Sequence, residues 1–305
     1  MRIRFLYCLI FFAICFSTFG QNKIDLKAAF DIENREIKIS QTIQFQNTTD
    51  AVLHTIYLND WNNSYSTKKT PLAIRIADEY KNDFHLAKNE DRGYSVIASI
   101  KQNGENLVFE QLKNQIDILK VELKEPLKPN ATYTIHLDYL VKIPNAKFTK
   151  YGITDEGHVN LRYWYITPAI YNGEWHYYSN KNLDDLFIPK SEINLEIEYP
   201  NGYALTSELN SSKPEQLTDN QKVNLYGKDR INSKLFFSKN SSFKTLQTDN
   251  YSIISDINDE GLEVIDKILI TEKVTDFIFK NFGQYPHKKL LLTQIDYDKD
   301  PLYGL

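Results

Sequence analysis

The side chains best suited to metal chemistry are six histidines: His54, His85, His136, His158, His176 and His287. A hydrolytic zinc needs neutral imidazoles converging on one ion, most simply from positions i and i+4 of a helix. The closest two, His158 and His176, stand eighteen positions apart, so no pair can share a helical face. A nucleophilic serine on a G-x-S-x-G turn needs glycines four apart, and a dinucleotide loop needs glycines two apart. Neither spacing occurs among the 11 glycines. Gly152 and Gly157 have phosphate-loop spacing, yet His158-Val159 stands where Lys-Ser/Thr would have to meet phosphate and metal. Adjacent Asp184 and Asp185 read as solvated loop residues, because neighbouring positions do not set two carboxylates across a glycosidic bond. On these residues alone the chain carries no complete catalytic machinery.

The segment before residue 21 reads as a secretory signal. Arg2 and Arg4 precede an unbroken apolar run, Phe5 to Phe16, and Thr18-Phe19-Gly20 offers a small-x-small site, so cleavage is expected after Gly20. Twelve apolar residues are too few to cross a bilayer, so no transmembrane segment is expected after cleavage. Ile14 before Cys15 argues against lipoprotein processing. Both cysteines, Cys8 and Cys15, fall inside the signal, which leaves the mature chain without disulfides or thiolate ligands. Of the 36 basic residues, removing Arg2 and Arg4 leaves 34 against 40 acidic ones, a charge of −6 that disfavours nucleic acid. Abundant Asn, Lys, Ile and Tyr beside a single Met suggest an AT-rich bacterial genome, and hence a secreted or periplasmic bacterial protein.

From Gln21 to about Gln247 the apolar pattern has period two. Ile37, Ile39, Ile43 and Phe45 share one face, as do Tyr133, Ile135, Leu137, Tyr139, Val141 and Ile143, and again Ile193, Leu195, Ile197 and Tyr199. Such alternation predicts antiparallel strands with one wet face. Asn103-Gly104, Lys128-Pro129-Asn130 and Pro200-Asn201-Gly202 predict the turns between them. The fold class expected is mainly β: a large antiparallel sandwich or saddle over 21–247. A polar stretch from Ser238 to Asn250 reads as a linker.

Residues 248–305 then read as strand, helix, strand, the opening of an α+β domain. The strand lies at Tyr251–Ser255, and Asp256 or Asp259 stands ready to cap the helix that follows. That helix ends at Phe282, before Gly283 and Pro286, and Lys289 to Ile295 reads as a buried strand. The helix carries Leu262, Ile265, Ile268, Leu269, Ile270, Val274, Phe277 and Ile278, an apolar arc that some sixty residues cannot bury. Between Tyr151 and Tyr178 lies a dense aromatic segment, Tyr163-Trp164-Tyr165, Tyr171, Trp175 and Tyr177-Tyr178. It reads as a stapled sheet corner rather than a ligand platform.

Two stretches resemble the aminopeptidase N-like gluzincins, a family of zinc peptidases. The first is Asp184-Asp185-Leu186-Phe187-Ile188-Pro189-Lys190, a strand, then Pro200-Asn201-Gly202-Tyr203-Ala204-Leu205-Thr206-Ser207. It looks like that family's D-E-P-x-x-K-A, strand, P-x-G-Y-x-A-x-S series. The second runs from Phe282-Gly283 through Tyr285-Pro286 and Lys289-Leu290 to the aromatic-Gly-Leu at Tyr303-Gly304-Leu305. The resemblance implies a β-domain, the start of a catalytic domain, a peptide or protein substrate, and zinc held by an H-E-x-x-H that these residues do not contain. Tyr177-Tyr178-Ser179-Asn180 stands where the family carries an Arg and Phe-Pro-Cys.

Aligning Gly304-Leu305 with the family's Trp-Gly-Leu puts Pro301 at the glutamate that holds a substrate's α-ammonium, a charge-assisted contact proline cannot make. Asp298, Asp300, Tyr303 and Gly304 are the candidate substrate-binding residues on this reading, and no residue is assigned a catalytic or metal role. The chain alone is expected to hold no catalytic zinc and to hydrolyse nothing. The alternative is a complete non-catalytic secreted β-sandwich that meets a protein or glycan through the aromatics of 151–178.

Overall fold

The computed structural model describes residues 21–184, 186–248, 251–258, 261–283 and 285–297. The expected signal and the four candidate substrate residues, Asp298, Asp300, Tyr303 and Gly304, lie outside the described residues. Eight strands carry the first part of the fold: β1 (Asn22–Asp31), β2 (Glu36–Gln46), β3 (Leu53–Asn59), β4 (Tyr94–Gln102), β5 (Gln115–Leu127), β6 (Thr132–Lys142), β7 (Ser191–Pro200) and β8 (Asn220–Arg230). The central sheet runs β8-β7-β1-β2-β6-β4, extended at its edges by short strands. Adjacent strands are antiparallel except β1 and β7, which pair in parallel from Asn22–Ser191 to Ala29–Glu198.

The alternation in the sequence becomes alternation in burial. Every second residue of β7 is buried, and Ile37, Ile39 and Ile43 of β2 face the same core. Gln41 continues that inward series and is 2% exposed. Its amide nitrogen donates to the Ile166 carbonyl at 2.7 Å, and its oxygen accepts from the Tyr139 hydroxyl at 2.5 Å. A buried polar group is tolerated when both ends are paired in this way. The predicted turns form, with Asn103 and Gly104 both at positive φ, as a tight hairpin demands.

β3 and β5 belong to a second sheet. A third joins β9 (Leu235–Ser238) to Val159–Leu161 and Ala204–Thr206. The inward faces of these sheets share one core, in which Phe30 meets Phe237 at 4.7 Å and Trp164 at 5.8 Å between ring centres. Two short helices interrupt the strands. α1 (Pro71–Asp78) starts with Pro71 at its first position and the Thr70 hydroxyl accepting from Ala73 N–H, and α2 (Asp83–Leu86) is a single turn.

The C-terminal elements are β10 (Lys244–Gln247), β11 (Ser252–Ser255), α3 (Val264–Phe282), β12 (Lys289–Leu292) and α4 (Gln294–Tyr297). β11 and β12 pair in parallel, with α3 as their crossover. Glu263 and Asp266 form the cap of α3, whereas Asp256 accepts from the Gln294 N–H at 2.7 Å; Asp259 lies outside the described residues. The expected strand stops at Leu292 rather than Ile295, because the Thr293 hydroxyl accepts from Asp296 N–H and starts a helical turn. One stripe of α3, Ile268, Thr271, Thr275 and Phe279, is half-buried, and no described side chain of the helix is fully buried. Ile265 is 63% exposed and Phe277 60%.

Candidate functional site

The aromatic segment does structural duty. Tyr163, Trp164 and Tyr165 are buried, Trp175 packs against Phe45, Tyr57 and Tyr171, and Tyr177 stacks on Tyr57 at 4.3 Å. Behind this corner lie two fully buried carboxylates, which motif reading did not single out. Asp60 accepts from Ser95 Oγ at 2.7 Å and from the amides of Asn63 at 2.6 Å and Asn62 at 3.4 Å. Asp117 accepts from Ser64 Oγ at 2.8 Å, Ser179 Oγ at 2.7 Å and Asn180 N–H at 2.8 Å. Burial pushes the Asp60 carboxyl up to about 6 against the pull of its donors, and raises Asp117 as well. Through Ser179 and Asn180, Asp117 fixes the loop that leads into Lys181, Asn182 and Leu183.

That loop forms one wall of a cleft of about 360 Å³. α1, the 147–151 loop and Arg162 line other sides, and Ile295 and Asp296 of α4 close it. The apolar floor beneath is shared by both parts of the chain: Trp61, Tyr151, Tyr163, Leu183, Ile188 and Phe236 cluster, and Leu291 and Ile295 pack against them. Asp296 is held at the seam by Lys234 Nζ at 2.5 Å, Thr293 Oγ1 at 2.8 Å and the Tyr151 hydroxyl at 3.3 Å. Burial alone would raise the Asp296 carboxyl, but the Lys234 ammonium, with the Thr293 hydroxyl and the Arg162 charge, outweighs it and keeps it below the usual carboxylate range. Nearby, Lys289 reaches from β12 to the carbonyls of Leu209 at 2.7 Å and Ser207 at 3.4 Å, and burial depresses its ammonium.

Arg162 is the least exposed cation of the cleft, at 15% for its side chain against 30% for Arg75. Its guanidinium lies 4.7 Å over the Tyr163 ring and pairs with Asp184 at 3.3 Å. Gly152 at the base of the 147–151 loop has φ +132°, and a Cβ there would lie 2.3 Å from the Pro144 carbonyl. Only glycine lets the loop pass this close to its neighbour.

Among the described residues no group of three or more His, Cys, Asp or Glu side chains could hold a metal ion. The zinc implied by the resemblance has no ligand set here, and no chemical step is assigned to a metal on these residues. Among the same residues no helix is long and apolar enough to cross a membrane.

Comparison with known proteins bears on the fold. No family model and no curated protein matches the sequence. Solved structures do. A point mutant of an M1 zinc metallopeptidase from Deinococcus radiodurans, bound to a Tyr-Ser-Ala substrate, superposes with a TM-score of 0.54 at 11% identity. The match covers 90% of this chain and 56% of that one. A two-domain M1 zinc metallopeptidase mutant bound to L-arginine gives 0.52 at 12% identity, with the same coverage. The chain thus spans just over half the length of the structures it matches. At such identities the likeness is one of architecture: these residues share the fold of an M1 metallopeptidase over its corresponding part.

Proposed function

We propose that these residues are the N-terminal portion of a secreted bacterial zinc peptidase similar to aminopeptidase N. The β-domain forms one wall of the substrate cleft, and β12 with α4 leads to the edge along which an extended peptide pairs. The residues that hold zinc and activate water belong to a further part of the same polypeptide. The observation that carries this reading is α3. Ile265, Leu269, Ile270, Val274, Phe277 and Ile278 are all more than 40% exposed along one helix. An apolar surface of this kind marks an interface, and the fold likeness to half of an M1 metallopeptidase supports more peptidase as its cover.

The test compares two proteins. Residues 21–305 should cleave no fluorogenic peptide and bind no zinc. The product of the complete reading frame should contain one zinc and lose peptidase activity to a chelator. Chelator-sensitive hydrolysis by 21–305, or a complete product that binds no zinc, would refute the proposal. Export is tested separately, by finding Gln21 at the mature N-terminus in the periplasmic or medium fraction.

A further inference from the structure

The cleft at the seam has a charge that the rest of the protein does not. Its lining carries six cations, Arg75, Lys81, Lys147, Lys150, Arg162 and Lys181, against three carboxylates, Glu79, Asp83 and Asp296. The whole chain has a formal charge of −4. Asp296 is engaged chiefly by Lys234, which lies outside the lining, and more weakly by the charge of Arg162. The carboxylates that brace Lys147 and Arg162, Asp91 at 2.6 Å and Asp184 at 3.3 Å, do not line the cleft either. They hold the two cations from outside it.

Arg162 adds a second, independent observation. Its Nε is buried and has no hydrogen-bond partner among the described residues. An orphaned buried donor on a guanidinium is costly, and that cost is recovered when the group shifts so that an acceptor can reach the enclosed Nε. Stacking on Tyr163 fixes the plane of the group; Nη1 meets Asp184 at 3.3 Å and Nη2 donates to the Tyr163 hydroxyl at 3.1 Å, so an entering planar oxyanion shares the fork with these partners. The Leu72, Ile76 and Phe148 side chains give the cleft an apolar side that fits an aliphatic stem.

We propose that this cleft is an anion subsite that takes a carboxylate of a peptide, with Arg162 as its anchor and Lys181 on its rim. The word peptide rests on the peptidase reading above; the carboxylate does not. The two sources of that carboxylate are an acidic side chain and a C-terminus, and both present the same planar group to Arg162.

Three probes separate the possibilities by calorimetric titration of the purified protein at low salt: Ala-Glu-Ala amide, Ala-Gln-Ala amide and Ala-Gln-Ala free acid. One anionic peptide should bind about tenfold or more tightly than the neutral one, as a charge-assisted pair implies, and which one does so identifies the source. The preference should weaken with added salt, disappear in Arg162→Gln and shrink in Lys181→Gln, a rim change that leaves the buried stack intact. Equal binding of all three peptides, or no binding of any, overturns the subsite. Carboxylate-dependent binding by a complete polypeptide that cleaves nothing would leave the subsite standing and remove the peptidase reading. Cleavage without any carboxylate preference would do the reverse.

Discussion

Replacing Asp60 by asparagine isolates the energetic consequence of burying a carboxyl behind the aromatic corner. In the folded protein Asp60 titrates near 6, against an ordinary value of 3.8, chiefly through burial. A raised folded value means that the native state binds the proton more tightly than the unfolded chain does. This group's contribution is therefore most favourable below pH 3.8 and is lost as pH rises through 6. The rise from 3.8 to about 6 corresponds to about 3 kcal/mol. Asp60→Asn keeps a polar side chain of the same shape but cannot ionise. Urea unfolding followed by the fluorescence of buried Trp61 and Trp164, at several values between pH 4 and 7.5, should show the variant gaining about 3 kcal/mol relative to wild type across that range. The absolute cost of the amide cancels in this comparison. Parallel pH profiles for the two proteins would refute the assignment of a buried, proton-hungry carboxyl to this position.

Three further outcomes are expected. Gly152→Ala should lower stability by at least about 2 kcal/mol in urea unfolding, since the new methyl meets the Pro144 carbonyl at a backbone angle alanine disfavours. Lys234→Met should raise the Asp296 carboxyl value in an NMR titration. The wild-type carboxyl, held below 3.8, stabilises the fold above that pH and loses its effect as pH falls through the folded value, the opposite sign to Asp60. Ile265→Ser with Phe277→Ser should change the stability of 21–305 by less than about 0.5 kcal/mol per site. The same pair in the complete polypeptide should cost several kcal/mol if α3 is covered there.

The strands were legible because burial on one face forces period two, and β2, β6 and β7 obey it nearly throughout. Gln41 was not. A polar residue at an inward position looks like a break in the pattern until its partners, Tyr139 and Ile166, are known to lie opposite. The helix over 264–282 and its end at Gly283 followed from local rules, and so did the failure of sixty residues to bury it. The last turn could have been read: Thr293-Gln294-Ile295-Asp296 has the Thr-x-x-acid spacing of a helix start, but the leucine run before it suggested one longer strand. The cleft left no trace in any motif. Arg75, Lys147, Arg162, Lys181 and Asp296 are far apart in the chain, and each alone is an ordinary surface charge. The same holds for Asp60 and Asp117, whose isolation from water is a property of the folded sheets. The four residues favoured for substrate binding, Asp298, Asp300, Tyr303 and Gly304, fall outside the described part and are neither supported nor displaced by it.

The parallel seating of β1 against β7 sets the order in which this molecule can mature. The first strand to leave the ribosome ends up with a neighbour on each side, and one of those neighbours is made some 170 residues later. Until Ser191–Pro200 has been synthesised, the nascent polypeptide holds an unpaired row of amides along a strand whose inward face is Ile24, Leu26, Ala28 and Phe30, an edge that readily joins other chains. Early chain emergence therefore yields an adhesive ribbon rather than a finished globule, and holdase chaperones have the greatest opportunity before Pro200 has been made.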